Sequence, residues 1–275
     1  MVAYQADLGR NLEIYVIATD GTGRRRLTSD PADDVHPDWS PRGDSIAFAS
    51  NRDGAFRIWL MDADGGNPRP LTRGPGDVQP AWSPDGRLLA FQTSRDGDVD
   101  IWVLDLRTGA ERPVVTSPGT DATPHFSPDG ARIAFSSDRF GQFDLFALTL
   151  RGLRTQRLTS SPVIETEPNW SPDGQRLALT TIHDGTPRVA IINADGSGQR
   201  VLAASDIPLF AGDRSPVWTP DGRSLVYVSA DLDSSNLTAM WAGGAGRRTF
   251  VQRFGDDSEP SVGPRVLAAA TGSDT

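Results

Sequence analysis

One short phrase is written five times along this chain, and its spacing settles the architecture before any local reading does. Trp39-Ser40-Pro41-Arg42-Gly43, Trp82-Ser83-Pro84-Asp85-Gly86, Phe126-Ser127-Pro128-Asp129-Gly130, Trp170-Ser171-Pro172-Asp173-Gly174 and Trp218-Thr219-Pro220-Asp221-Gly222 step by 43, 44, 44 and 48 residues. A sixth, degenerate copy lies 44 residues beyond Trp218, where Val262-Gly263-Pro264 follows Glu259-Pro260 as Trp170-Ser171-Pro172 follows Glu167-Pro168. Each unit reads as four short strands: an anchor strand ending in the aromatic residue, a strand such as Ile46-Ala47-Phe48, one such as Arg57-Ile58-Trp59-Leu60-Met61, and a run ending in Leu71-Thr72. Ser-Pro-Asp-Gly suits a type I turn, with proline presetting φ and glycine taking the positive φ that follows. Ala63-Asp64-Gly65 and Ala194-Asp195-Gly196 supply turns between strands three and four.

Four antiparallel strands in so few residues cannot bury both faces alone, and radial packing around a channel solves this. The sequence therefore predicts an all-β fold, a single six-bladed β-propeller of four-stranded antiparallel blades over residues 1–275. Val2-Ala3-Tyr4 lies 44 residues before Ile46-Ala47-Phe48, so the chain starts inside a blade. The missing innermost strand is expected from the C-terminal copy near Val262, closing the ring with strands from both ends and leaving no open edge.

Composition narrows the chemistry. A net charge of −9 repels a phosphate backbone and argues against nucleic acid. All 27 basic residues are arginine, which excludes a Schiff-base lysine, and the absence of cysteine excludes disulfides, thiolate nucleophiles and zinc-thiolate sites. No apolar run reaches the roughly 18 residues of a membrane helix, and Met1 to Asp7 lacks a signal-peptide pattern. No Gly-x-Ser-x-Gly elbow, His-Glu-x-x-His helix or phosphate loop is present, and the three histidines sit in distant repeats. The expectation is a monomer that is not an enzyme, takes no cofactor or metal, and binds a protein or peptide.

The succession Leu-Thr, polar loop, Trp-Ser-Pro-Asp-Gly, Ile-Ala-Phe, Ser-Asn-Arg-Asp-Gly, Ile-Trp, Met-Asp-Ala-Asp-Gly-Gly closely resembles the WD40-like propeller repeat of the bacterial TolB family, over nearly the whole chain. The resemblance implies a binding propeller acting in the periplasm or elsewhere outside the cytoplasm, with a cell-envelope protein as partner. The α/β domain that precedes the propeller in TolB proper is missing here, which leaves contact with TolA unsupported and contact with Pal open. Two other functions stay open: an accessory or gating propeller of a larger protein, such as a prolyl oligopeptidase-like enzyme or a sensor, and a propeller enzyme acting on sugars or lactones with a channel metal.

Offsets from the anchors pick out candidate sites. Five residues before each stands an acid, Asp34, Asp77, Asp121, Glu165, Asp213 and Asp257, expected to ring one mouth of the channel in a structural role or around a cation. Three residues before each stand His36, Gln79, Thr123, Glu167, Ser215 and Glu259, polar throughout yet mostly different from blade to blade, the pattern of a ligand-adapted ring. Arg52, Arg95 and Arg139 are expected to bridge to the acidic ring. The one long step places four extra residues before Trp218, in an apolar loop whose Ile207, Leu209 and Phe210 either pack on a neighbouring blade or form an interaction patch.

Overall fold

The computed structural model describes residues 1–7, 11–202, 212–230, 234–254 and 259–264. Six four-stranded antiparallel sheets stand in a ring, and no helix occurs among the described residues. Blade one comprises Asp34–Trp39, Ser45–Ser50, Arg57–Asp62 and Arg69–Pro70. Blade two comprises Asp77–Trp82, Leu88–Thr93, Asp100–Asp105 and Ala110–Val115, and blade three Asp121–Phe126, Arg132–Ser137, Asp144–Thr149 and Arg154–Arg157. Blade four comprises Ile164–Trp170, Arg176–His183, Thr186–Asn193 and Arg200–Val201, and blade five Gly212–Trp218, Ser224–Ala230, Ser235–Trp241 and Arg248–Phe254. Blade six joins the two ends of the chain: Ser261–Val262 is its innermost strand, paired antiparallel to Val2–Asp7 with Val2 opposite Val262, followed by Leu12–Ile17 and Arg25–Arg26. The ring closes as its 44-residue offset predicts.

The core is divided in the same way. Six hydrophobic clusters each span two neighbouring blades, from Phe48 and Ile46 against Ile14 and Val16 to Phe135 and Phe146 against Ile101 and Val103. A blade therefore buries both faces only because it has a neighbour on each side. In the Ser-Pro-Asp-Gly turns the serine hydroxyl bonds the aspartate, as Ser83 Oγ does to Asp85 Oδ1 at 2.7 Å, and the Gly86 N–H returns to the Ser83 carbonyl at 2.9 Å.

The Asp-Gly turns do more than reverse the chain. Gly196 has φ +92°, and a Cβ there would lie 2.1 Å from the Leu158 carbonyl oxygen of the preceding blade; Gly65 meets the Leu27 carbonyl in the same way at 2.6 Å. Gly97 also has positive φ, +104°, but has open space around it. Gly196→Ala is expected to lower the unfolding free energy by about 2 kcal/mol or more, and Gly97→Ala by about 1 kcal/mol, because only the first adds a backbone clash to left-handed strain. Urea unfolding of the two variants checks this.

Candidate functional site

The inner strands of blades one to five are not regular. In each, the pairing with the neighbouring strand shifts register over two residues, between Val35 and Asp38, Val78 and Ala81, Ala122 and His125, Thr166 and Asn169, Arg214 and Val217. At each bulge, and just before the inner strand of blade six, the chain runs through a residue of positive φ directly before a proline. These residues are His36, Gln79, Thr123, Glu167, Ser215 and Glu259, with φ from +51° to +68°. Left-handed geometry costs a side-chain-bearing residue on the order of 1 kcal/mol, and proline disfavours it further, so each blade holds a strained position at the same place. The strain turns all six side chains toward the axis, where they border one cavity of about 470 Å³ that runs on to Pro41, Pro84, Pro172, Pro220 and Pro264 of the turns. The structure thus brings this predicted ring together around one space.

The ring is internally bonded. Glu259 Oε1 lies 3.3 Å from His36 Nε2 and accepts from Gln79 Nε2 at 3.4 Å, a link reaching past one blade. Gln79 Oε1 accepts the Thr123 N–H at 3.1 Å, and Glu167 Oε2 accepts the Ser215 N–H at 2.9 Å and the Thr180 hydroxyl at 2.5 Å. Burial raises the Glu167 carboxyl above the usual range and the Glu259 charge adds to this, against the bonds from Thr180 and Ser215. For Glu259 burial pulls upward, but His36, Gln79 and Arg214 together outweigh it and hold the carboxyl low. The ring therefore carries two glutamates with opposite tendencies, flanking Ser215.

A second layer, one residue before each anchor, escaped the sequence reading. Asp38 Oδ2 accepts the Trp82 N–H at 2.9 Å, His125 Nδ1 the Trp170 N–H at 3.2 Å, Asn169 Oδ1 the Trp218 N–H at 3.1 Å, and Ser261 Oγ the Trp39 N–H at 3.2 Å. Ser261 also donates to Asp38 Oδ1 at 2.9 Å, so Asp38 ties the closing strand to two blades. Burial raises Asp38 to about 6 and lowers His125 to about 4. The signal for this layer is a hydrogen-bonding residue immediately before the anchor position in four of the six repeats, Asp38, His125, Asn169 and Ser261.

The acidic ring stands elsewhere than expected. Asp34, Asp77, Asp121, Glu165 and Asp213 open their inner strands and are at most 1% exposed, away from the cavity lining; Asp257 lies outside the described residues. The four aspartates are buried beneath arginines that reach in from the rim. Arg52 Nη2 bonds both Asp34 oxygens at 2.8 and 2.9 Å, Arg95 Nη2 both Asp77 oxygens at 2.7 and 2.6 Å, and Arg139 Nη2 Asp121 Oδ1 at 2.8 Å. Each guanidinium lies against two aromatic rings, Phe48 and Trp59, Phe91 and Trp102, or Phe135 and Phe146. In blade five Arg247, from another position, bonds Asp213 at 2.7 Å. The loop with Ile207, Leu209 and Phe210 lies outside the described residues. Among the described residues no three His, Asp or Glu side chains converge as metal ligands.

A family model, the TolB beta propeller domain, matches residues 55–267. The chain belongs to that family. The Tol-Pal system protein TolB of Bordetella pertussis is 39% identical to it over 56 residues, 20% of this chain and 13% of that protein. The crystal structure of TolB from Acinetobacter baumannii superposes with a TM-score of 0.84 at 25% identity, covering 94% of this chain and 65% of that one. An oligogalacturonate lyase in complex with manganese shares the fold, with a TM-score of 0.60 at 19% identity over 90% of this chain and 71% of that one. This TolB beta propeller domain thus spans less than two thirds of these first TolB relatives.

Proposed function

We propose that this TolB-type propeller is a non-catalytic protein-binding module, and that its channel cavity receives a peptide segment or side chains of a cell-envelope partner outside the cytoplasm. One observation carries the reading: six blades hold the same strained, positive-φ residue before a proline while the side chain it aims into the cavity changes, His36, Gln79, Thr123, Glu167, Ser215, Glu259. Strain kept at every repeat around a variable residue fits a rigid cup with an adapted lining. Prolines alternate with the polar ring along the walls, and the carboxylate, amide and hydroxyl oxygens of that ring suit an occupant that carries its own donors. We propose Ile207, Leu209 and Phe210 as a second, apolar contact on the same partner. The coverage of the Acinetobacter protein favours one further reading, that the propeller serves as the accessory domain of a longer chain.

A photo-crosslinking residue placed at Thr123 is expected to trap one envelope protein, and the pair His36→Ala plus Glu259→Gln should weaken that partner's binding about 10-fold or more. Crosslinking from Phe140 on the outer rim, with none from Thr123, would sink the reading.

A further inference from the structure

Blade four breaks the pattern of clasped acids. Glu165 is fully buried, and neither carboxylate oxygen has a hydrogen-bond partner. The position of its arginine is taken by His183. Glu165 pairs across the sheet with Thr181 as Asp34 pairs with Ser50, and two residues further on stand His183 and Arg52. Arg52 Nε bonds Ser50 Oγ at 2.9 Å; His183 Nε2 makes the matching contact with Thr181 Oγ1 at 3.2 Å. The imidazole thus reproduces the inner nitrogen of the guanidinium and lacks the terminal nitrogen that reaches the acid. The walls change with it: Leu179 opposite Ala190 replaces Phe48 opposite Trp59. The cover is shorter as well, because the hairpin of blade four turns at Asp184 and Gly185 alone, where blades one to three carry 51–56, 94–99 and 138–143.

A buried carboxylate without a partner is costly, so a blade that keeps the acid while shedding its arginine points to a counter-ion from elsewhere. Arg188, opposite Thr181 on the next strand of the blade, makes no bond to either Glu165 oxygen and leaves its own buried Nε without a partner. In four sister blades the same acid takes a guanidinium, and the arginine side chains of blades one to three stay 13–18% exposed, so the slot opens on the rim. We propose that Glu165, Thr181 and His183 form a receiving site for the guanidinium of an arginine presented by a partner polypeptide, with His183 swinging aside to admit it. This site stands apart from the channel reading, since Glu165 does not line the cavity.

The probe is Nα-acetyl-arginine methylamide, read by thermal shift and calorimetry on the whole chain, beside the lysine and citrulline analogues and calcium chloride. A single ion pair of this kind gives millimolar affinity, and a planar fork should exceed lysine at least about 3-fold. The expected result is a saturable rise in Tm with arginine and none with citrulline. It should be lost in Glu165→Gln and in His183→Arg, and the latter should raise the basal Tm by closing the site with its own guanidinium. An arginine response that persists in both variants, a response to calcium in place of arginine, no response at all, or a His183→Arg protein less stable than the parent would each overturn the proposal.

Discussion

Arg95→Ala is expected to lower the unfolding free energy by about 3–5 kcal/mol, because it strands a carboxylate that the fold has removed from water. Asp77 has no exposed surface, and both of its oxygens are held by Arg95 Nη2. The same guanidinium bonds Thr93 through Nε at 3.2 Å and Glu111 through Nη1 at 2.6 Å, and lies 4.6 Å from the Trp102 ring centroid. Alanine removes all of these at once and supplies nothing to the acid. Desolvation opposes the charge on Arg95, yet Asp77 and Glu111 together outweigh it and hold the group above its usual value. The pair Asp77→Asn plus Arg95→Met should recover much of the loss, since replacing both members leaves no bare charge. Arg57 offers the contrast: its ion pair with Asp53 spans 3.8 Å between side chains 34% and 44% exposed, and Arg57→Ala should cost no more than about 1 kcal/mol. Urea midpoints followed by tryptophan fluorescence measure all three. A loss below 1 kcal/mol in Arg95→Ala would show that the clasp is dispensable.

Blade number, strand order and ring closure were legible in the sequence because each rests on local chemistry repeated at a fixed offset. Turn residues, alternating strands and Val2 standing 44 residues before Ile46 need no knowledge of packing. The arginine clasp was half legible: Asp34 and Arg52, Asp77 and Arg95, and Asp121 and Arg139 are each 18 residues apart, as Glu165 and His183 are. Its location was misread, because a residue opening an inner strand was assumed to face the channel. The bulge decides otherwise. It lets the acid be buried beneath arginine while the residue two positions later turns to the axis. Its sequence signal is the proline after every ring residue, from His36-Pro37 to Glu259-Pro260, since proline inside a central strand demands a bulge or an edge. The layer of Asp38, His125, Asn169 and Ser261 was less accessible, because those side chains acquire meaning only when blades lie side by side.

That layer sets up two opposed pH dependences, which single substitutions should separate. Burial raises Asp38 to about 6, so between roughly pH 4 and 6 the native protein binds a proton that the unfolded chain has released, and this residue's contribution to stability falls as pH rises. His125 is the reverse. Burial lowers it to about 4, so between about 4 and 6.5 the unfolded chain binds the proton that the native protein refuses, and stability rises with pH. Each shift is worth about 2 kcal/mol once the water of the channel is allowed for, and over most of the window the two offset each other. The ring contains its own template for the substitutions, because Asn169 accepts the Trp218 N–H with a neutral amide oxygen in the same position. Asp38→Asn should keep the bond from Trp82, gain stability at pH 7 and lose about 2 kcal/mol more than the parent on acidification from pH 6.5 to 4. His125→Asn should change oppositely, becoming more stable relative to the parent as the pH falls. Taking differences from the parent at each pH cancels the other titrating groups, including Glu167 and Glu259. Denaturant unfolding across that window, with parallel curves for parent and both variants, would mean that neither side chain titrates where its burial places it.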